Sequence, residues 1–178
     1  MRRLTVLAVA LSTALMMNSG AFAQAPAADP NNPNETVADK ATFTPYGETI
    51  KIADAKKVAA AALDEATKRG WPMCISVVAP SGDLVYFEKM DDCQYASVEI
   101  SQHKARTAAR YRRPTVVFER LLGKGPFFAY LPSLDGFIGS RGGNPIVVGG
   151  KIIGAIGVSG GSGAQDDTIS QAGAAVLK

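Results

Sequence analysis

Histidine and cysteine are scarce in this chain: His103 stands alone, and Cys74 and Cys93 are the only thiols. Neither a zinc site of the usual cysteine–histidine spacing nor a covalently attached c-type haem is available, because no Cys-x-x-Cys occurs. A serine triad is equally short of parts. Gly157-Val158-Ser159-Gly160-Gly161 has the Gly-x-Ser-x-Gly form, but it follows a hairpin and its base must come from the distant His103. Charge of one sign is also missing: 19 basic residues face 16 acidic ones. No basic field therefore argues for nucleic acid or an anionic membrane as partner. There is no internal repeat, and a nucleotide loop is excluded by spacing. No Gly-x-Gly-x-x-Gly string occurs, Gly150-Lys151 is followed by Ile152, and Pro145 stands where a phosphate loop needs glycine.

What is present begins at the N-terminus. Met1-Arg2-Arg3 leads into an apolar run from Leu4 to Met17, followed by Asn18-Ser19-Gly20 and Ala21-Phe22-Ala23. This is the pattern of a secretory signal peptide over residues 1–23 with cleavage near Ala23. The run is shorter than the ~20 residues of a bilayer span, so no membrane span is expected in the mature protein. The implied location is periplasmic or secreted. Residues 24–48 are rich in Ala, Pro and Asn and read as a flexible leader. Residues 49–178 remain for a single folded domain.

Within that domain, Ile52, Ala55, Ala59, Ala62, Leu63 and Ala66 recur at helical spacing, and Gly70 and Pro72 end the helix. Met73 to Ala79 and Leu84 to Met90, joined by Pro80-Ser81-Gly82-Asp83, form a β-hairpin. Ser97 to Arg113 is helical. Its small-residue face of Ser101, Ala105, Ala108 and Ala109 allows close approach to a sheet, and Pro114 ends it. Thr115 to Leu122 is a short helix, and Phe127, Phe128 and Tyr130 suit core or interface packing. Asn144 to Val148 and Lys151 to Val158 form a second hairpin about Gly149-Gly150, and Gln165 to Leu177 is the closing helix. The expected fold is α+β: a mainly antiparallel sheet of about five strands flanked by helices. Cys74 and Cys93 lie near the open end of the first hairpin, where either a disulfide or two separate thiols would fit.

Two features point to an anionic ligand. Ser159-Gly160-Gly161-Ser162-Gly163 opens a helix, so its amides and the helix dipole favour negative charge, although the same loop also serves as a plain connector. Lys104, Arg106, Arg110, Arg112 and Arg113 cluster on one helix, either as a solvated face or as the border of a pocket for carboxylates. Asp166-Asp167 stands where acidic residues charge the start of the last helix. His103 shares a polar stripe with Glu99, Arg106 and Arg110.

The strings Lys104-Ala105-Arg106-Thr107-Ala108, Arg113-Pro114-Thr115, Gly142-Gly143-Asn144-Pro145-Ile146 and Gly154 to Gly161 with Gln165-Asp166 occur in the order and spacing of a known family. The chain resembles the GlcG/HbpS family of haem-binding proteins, related to the carboxy-terminal domain of PduO-type proteins, from the Ile52 helix to the C-terminus. The resemblance implies helices on a central antiparallel sheet, assembly into homo-oligomers, and binding of haem or a similar small anionic ligand. The candidate ligand-binding residues are Lys104, Arg141, Asn144, Ser159, Gly160, Gly161 and Asp166. His103 is the candidate iron ligand; Met73, Met90, Cys74, Cys93 and Tyr111 are of types that contact haem iron but read more simply as packing. The competing reading is an enzyme acting on a small organic acid. There Lys104 and Arg141 grip a carboxylate, the Ser159 to Gly161 amides stabilise an oxyanion, and Asp166 moves a proton. A third is a sensing or structural subunit without a ligand.

Overall fold

The computed structural model describes residues 29, 31–33 and 43–177. The stretch expected to be a signal peptide, residues 1–23, and most of the expected leader lie outside the described residues. Helix α1 spans Ile52–Arg69 and ends on Gly70, whose left-handed backbone (φ 64°) lets the Trp71 amide reach back to Ala66, the usual glycine stop. Its buried face is Ala55, Val58, Ala59, Ala62 and Ala66. Val58 takes the place the periodicity gives to Ile52, which is half exposed at the first turn.

Strands β1 (Cys74–Val78) and β2 (Leu84–Lys89) form the first hairpin. Helix α2 (Ser97–Arg110) stops three residues before the expected end at Arg113. Arg112 adopts φ 57° there, turning the chain so that Pro114 can cap helix α3 (Thr115–Leu122). Two short 3₁₀ turns, Pro126–Phe128 and Leu131–Ser133, carry Phe128 and Leu131 into a small aromatic cluster with Phe118.

Strands β3 (Gly143–Val148) and β4 (Lys151–Ser159) form the second hairpin, and both turn residues, Gly149 and Gly150, have positive φ. That is the primed turn expected of the pair. Helix α4 (Gly163–Ala174) is shorter at its C-terminus than the expected Gln165 to Leu177. Its cap is a reciprocal box between Ser162 and Gln165, which leaves Asp166 and Asp167 free for other partners.

The sheet has four strands in the order β2-β1-β4-β3, all antiparallel, not about five. The place of a fifth is taken by a single parallel bridge from Tyr46 to Ile152. Ile152 donates to Pro45 and accepts from Gly47, and Ile50 donates to Ile153. This segment follows β4 beyond the point where β1 ends, so the boundary drawn at residue 48 falls inside it.

Alternate residues of β1 face opposite layers. Ile75 and Val77 pack with α1 and α4 in the larger core, whereas Ser76 and Val78 meet Ser101 and Ala105 of α2. The sheet therefore lies between α2 on one side and α1 with α4 on the other. The small-residue face of α2 meets glycines: a Cβ on Gly157 would collide with the Ser101 carbonyl and the Ala105 amide, and one on Gly143 with the Lys104 carbonyl. Bare backbone on the strands and alanine on the helix set this close approach.

Candidate functional site

Close packing of α2 against β3 and β4 decides where Lys104 goes. Its backbone lies against Gly143, and its side chain runs past Gly142 to the first turn of α4. There Nζ meets Asp166 Oδ2 at 2.6 Å, with both side chains almost fully buried. Asp166 Oδ1 accepts from the Gly161 amide at 2.9 Å, and the Gly160 amide also donates to this carboxylate. A Cβ at Gly142 would stand 2.8 Å from Asp166 Cβ and 3.1 Å from Lys104 Nζ. The pair thus links the helical layers on the two sides of the sheet.

This arrangement changes what the glycine loop can do. The amides that the sequence offers to a ligand's oxyanion hold a carboxylate of the chain itself, and Lys104, expected to grip a substrate acid, neutralises it. Burial pushes the Asp166 carboxyl above its ordinary range, opposed by Lys104 and by the two amides. Desolvation prevails over attraction in direction, as is common for a carboxylate withdrawn from water.

The other expected site residues also have internal partners. Arg141 is bound to Glu119 through Nε at 2.7 Å and through a terminal nitrogen at 2.6 Å, and its amide donates to the same carboxylate at 2.9 Å. The Arg141 hydrogen bond holds Glu119 below the usual carboxylate range. Asn144 lies on the α4 side of the sheet and donates to Asp167 at 3.2 Å and to Ser170 at 2.7 Å. Ser159 shares a buried hydrogen bond with Ser97. His103 is exposed on the outer side of α2, next in sequence to Lys104 and away from its ammonium. Glu119 is a residue that sequence reasoning misses; it lies 22 positions from Arg141 and belongs to no motif that would reveal the pair.

Concave surface is found elsewhere, around the C-terminal end of α2. A groove of about 1030 Å³ is lined by Phe43, Thr44, Arg110, Tyr111, Arg112, Arg113 and Val117. A smaller cavity of about 350 Å³ adjoins it, sharing Thr44 and Arg112 and reaching Asn144 and Gln171. Three members of the basic cluster therefore border a cavity, whereas Lys104 is consumed in the core. The Arg112 guanidinium lies 4.6 Å from the Phe43 ring centre and 4.2 Å from that of Tyr46, within cation–π range. Tyr46 Oη donates to the Ala109 and Arg110 carbonyls at the end of α2. Arg110 reaches Asp135 at 3.2 Å, Arg113 Nε donates to the Tyr111 carbonyl, and Tyr111 Oη donates to the Asp135 carbonyl. Each guanidinium carries five N–H donors, so these bonds leave donors for a ligand.

Among the described residues no group of three or more His, Cys, Asp or Glu side chains could hold a metal ion, and no helix is long and apolar enough to cross a membrane. A ring system with acidic substituents is what the groove suits: aromatic and aliphatic surface on its wall, guanidinium groups at its rim.

Residues 50–175 match the family model described as haem degrading protein HbpS-like. Protein GlcG of Escherichia coli K12 is 44% identical over 106 residues, which cover 59% of this chain and 77% of that protein. The crystal structure of a double mutant of Streptomyces reticuli HbpS has a TM-score of 0.69 at 29% identity, covering 86% of this chain and 99% of the other. The crystal structure of a PduOC–haem complex gives 0.67 at 26% identity, over 73% of this chain and 96% of that one.

Proposed function

The chain belongs to the HbpS-like family, and from that membership we propose that it is an exported protein that binds haem, in the service of haem or iron handling. The observation that carries the proposal is the groove at the end of α2, where Phe43, Tyr111 and Val117 stand beside Arg110, Arg112 and Arg113. Its volume of about 1030 Å³ is near the upper end of small-molecule sites, roughly 300–1,000 Å³. The donor set fits the group: apolar contact for the macrocycle, guanidinium groups for the two propionates in the paired geometry that arginine favours. Tyr111 is the side chain lining the groove whose oxygen is of a type that ligates haem iron, and ligation would require that oxygen to give up its bond to the Asp135 carbonyl. Bound haem would supply an iron centre for redox or oxygen chemistry. The polypeptide's part is to hold the ring edge, neutralise the propionates and limit access of water.

The structural neighbour PduOC is seen in complex with haem, and the matched family is described as haem degrading, which supports the reading. Export follows from the N-terminal pattern of residues 1–23, and self-association into homo-oligomers completes the reading. Enzymatic action on an organic acid has less support, because Asp166 takes the loop amides that such a mechanism would need for its oxyanion.

Titration of the purified protein with haemin tests the proposal. A saturable shift of the Soret band is expected, weakened about tenfold in Arg110→Ala and again in Arg113→Ala. Spectral change is expected in Tyr111→Phe and not in His103→Ala. No saturable shift in the wild-type protein would overturn the reading. A mass measurement in the same buffer tests self-association, and N-terminal sequencing of the exported chain tests cleavage near Ala23.

A further inference from the structure

Cys74 and Cys93 have no part in the groove or in the Lys104 pair, yet the fold directs them at one another. Cys74 is the first residue of β1, in register with Lys89 of β2 and with Ser159 of β4. Beyond β2, the Met90 amide donates to the Met73 carbonyl at 3.0 Å, so the chain leaves the hairpin directly beside the start of β1. It then reverses. The Cys93 amide donates to the Met90 carbonyl at 3.3 Å, and Asp92 takes a left-handed backbone with φ 61°. Only a few residue types accept that conformation readily, aspartate among them.

The reversal carries Cys93 inward over the end of the sheet. Its thiol donates to the carbonyl of Ser159 at 3.7 Å, the residue paired with Cys74 across β4. Both cysteines are buried. Burial, together with a hydrogen bond that the Cys74 thiol donates to Cys93, pushes the Cys74 thiol up to about 12.

We propose that Cys74 and Cys93 form an intramolecular disulfide, which staples the turn after β2 to the first residue of β1. The oxidant is a thiol–disulfide couple, either a small dialkyl disulfide or a protein disulfide donor. The Cys93 thiolate attacks one sulfur of that disulfide, releasing one thiol and leaving a mixed disulfide. The Cys74 sulfur gives its proton to a base and displaces the second thiol. Two cysteine S–H bonds are lost, one S–S bond is gained, and the oxidant's disulfide becomes two thiols. Because the folded protein buries both sulfurs and keeps Cys74 protonated, exchange belongs to folding, before β1 and the turn close over each other. The bridge encloses 18 residues, long enough for a substantial loss of freedom in the unfolded chain.

Refolding of the reduced full-length chain in a mixture of reduced and oxidised glutathione tests this. The product is then denatured, alkylated, weighed and digested. The expected result is no alkylated cysteine, a single peptide linking Cys74 to Cys93, and a melting temperature roughly 10 °C above that of the reduced protein. That increment is absent in Cys93→Ser. Two alkylated cysteines, glutathione adducts or disulfide-linked dimers would overturn the proposal. The bridge in vitro does not depend on export: if it forms there while the chain trapped from cells is fully reduced, export fails and the bridge stands. Thiol state is also read without haem, so a failed haemin titration leaves the result intact.

Discussion

Replacing Lys104 with methionine keeps the side chain's length and removes its charge, which isolates the electrostatic part of the buried pair. At the 2.6 Å separation and an effective dielectric of ~20, the attraction lost is about 6 kcal/mol before solvation is counted. Much of that is offset in the wild-type protein by the cost of burying both ions. The net loss on removing one partner of a buried pair is about 3–5 kcal/mol. Protonation of Asp166 limits it: neutralising a carboxyl with an ordinary pKa of ~3.9 at pH 7 costs about 4 kcal/mol. The sign of the pH dependence follows. Without Lys104 the folded-state pKa of Asp166 rises further above its unfolded value, so its contribution is intact below the unfolded pKa and is lost as pH rises through the folded one. Lys104→Met is therefore expected to be most destabilised at pH 7 and to recover by about 1.4 kcal/mol per pH unit on acidification toward pH 5. Urea unfolding of wild type, Lys104→Met and Lys104→Met/Asp166→Asn at both pH values measures this, and the double variant should regain most of the loss. A loss below about 1 kcal/mol at pH 7 with no pH dependence would refute the account of a dry, mutually neutralising pair.

Gly157→Ala places a methyl group against the Ser101 carbonyl and the Ala105 amide, and is expected to cost more than ~4 kcal/mol or prevent folding. Gly150→Ala, in an open turn position with φ 76°, is expected to cost only ~1 kcal/mol; thermal melts compare the two. Glu119 is held low by Arg141, so its contribution is present above the ordinary carboxylate pKa and disappears as pH falls through the folded value. Glu119→Gln should therefore show a weaker fall in melting temperature between pH 6 and 3 than the wild type. Arg112→Lys keeps the charge but loses the flat stacking on Phe43 and Tyr46, and a raised rate of limited proteolysis near residue 43 is the expected outcome.

Local rules make most of the elements legible in the sequence. The start of α1, the glycine at its end, both hairpins and the primed turn at Gly149-Gly150 depend on neighbours along the chain, and they fall where spacing puts them. The C-terminal ends of α2 and α4 are less legible, since nothing in the periodicity says that Arg112 will take a left-handed backbone. The site is legible in composition but not in pairing. Lys104, Asp166 and the Gly160-Gly161 amides all stand out in the sequence, and they do converge, but on one another. Whether a cation meets a ligand or a carboxylate 62 positions away is settled by the layer packing, which no local spacing encodes. The basic cluster is visible as a run; the aromatic rings against which Arg112 stacks are not, because Phe43 comes from a segment whose composition reads as a leader.

The path of Pro45 to Ile50 along β4 has a consequence for where this protein can be shortened. The Ile152 amide and carbonyl and the Ile153 carbonyl are satisfied by that segment, and β1 does not extend far enough to replace it. A chain begun at residue 49 would keep Ile50 but leave the Ile152 amide and carbonyl bare, an open edge ready to take up a passing strand. The shortest version that keeps the sheet closed begins before Pro45, and one that keeps the groove begins before Phe43.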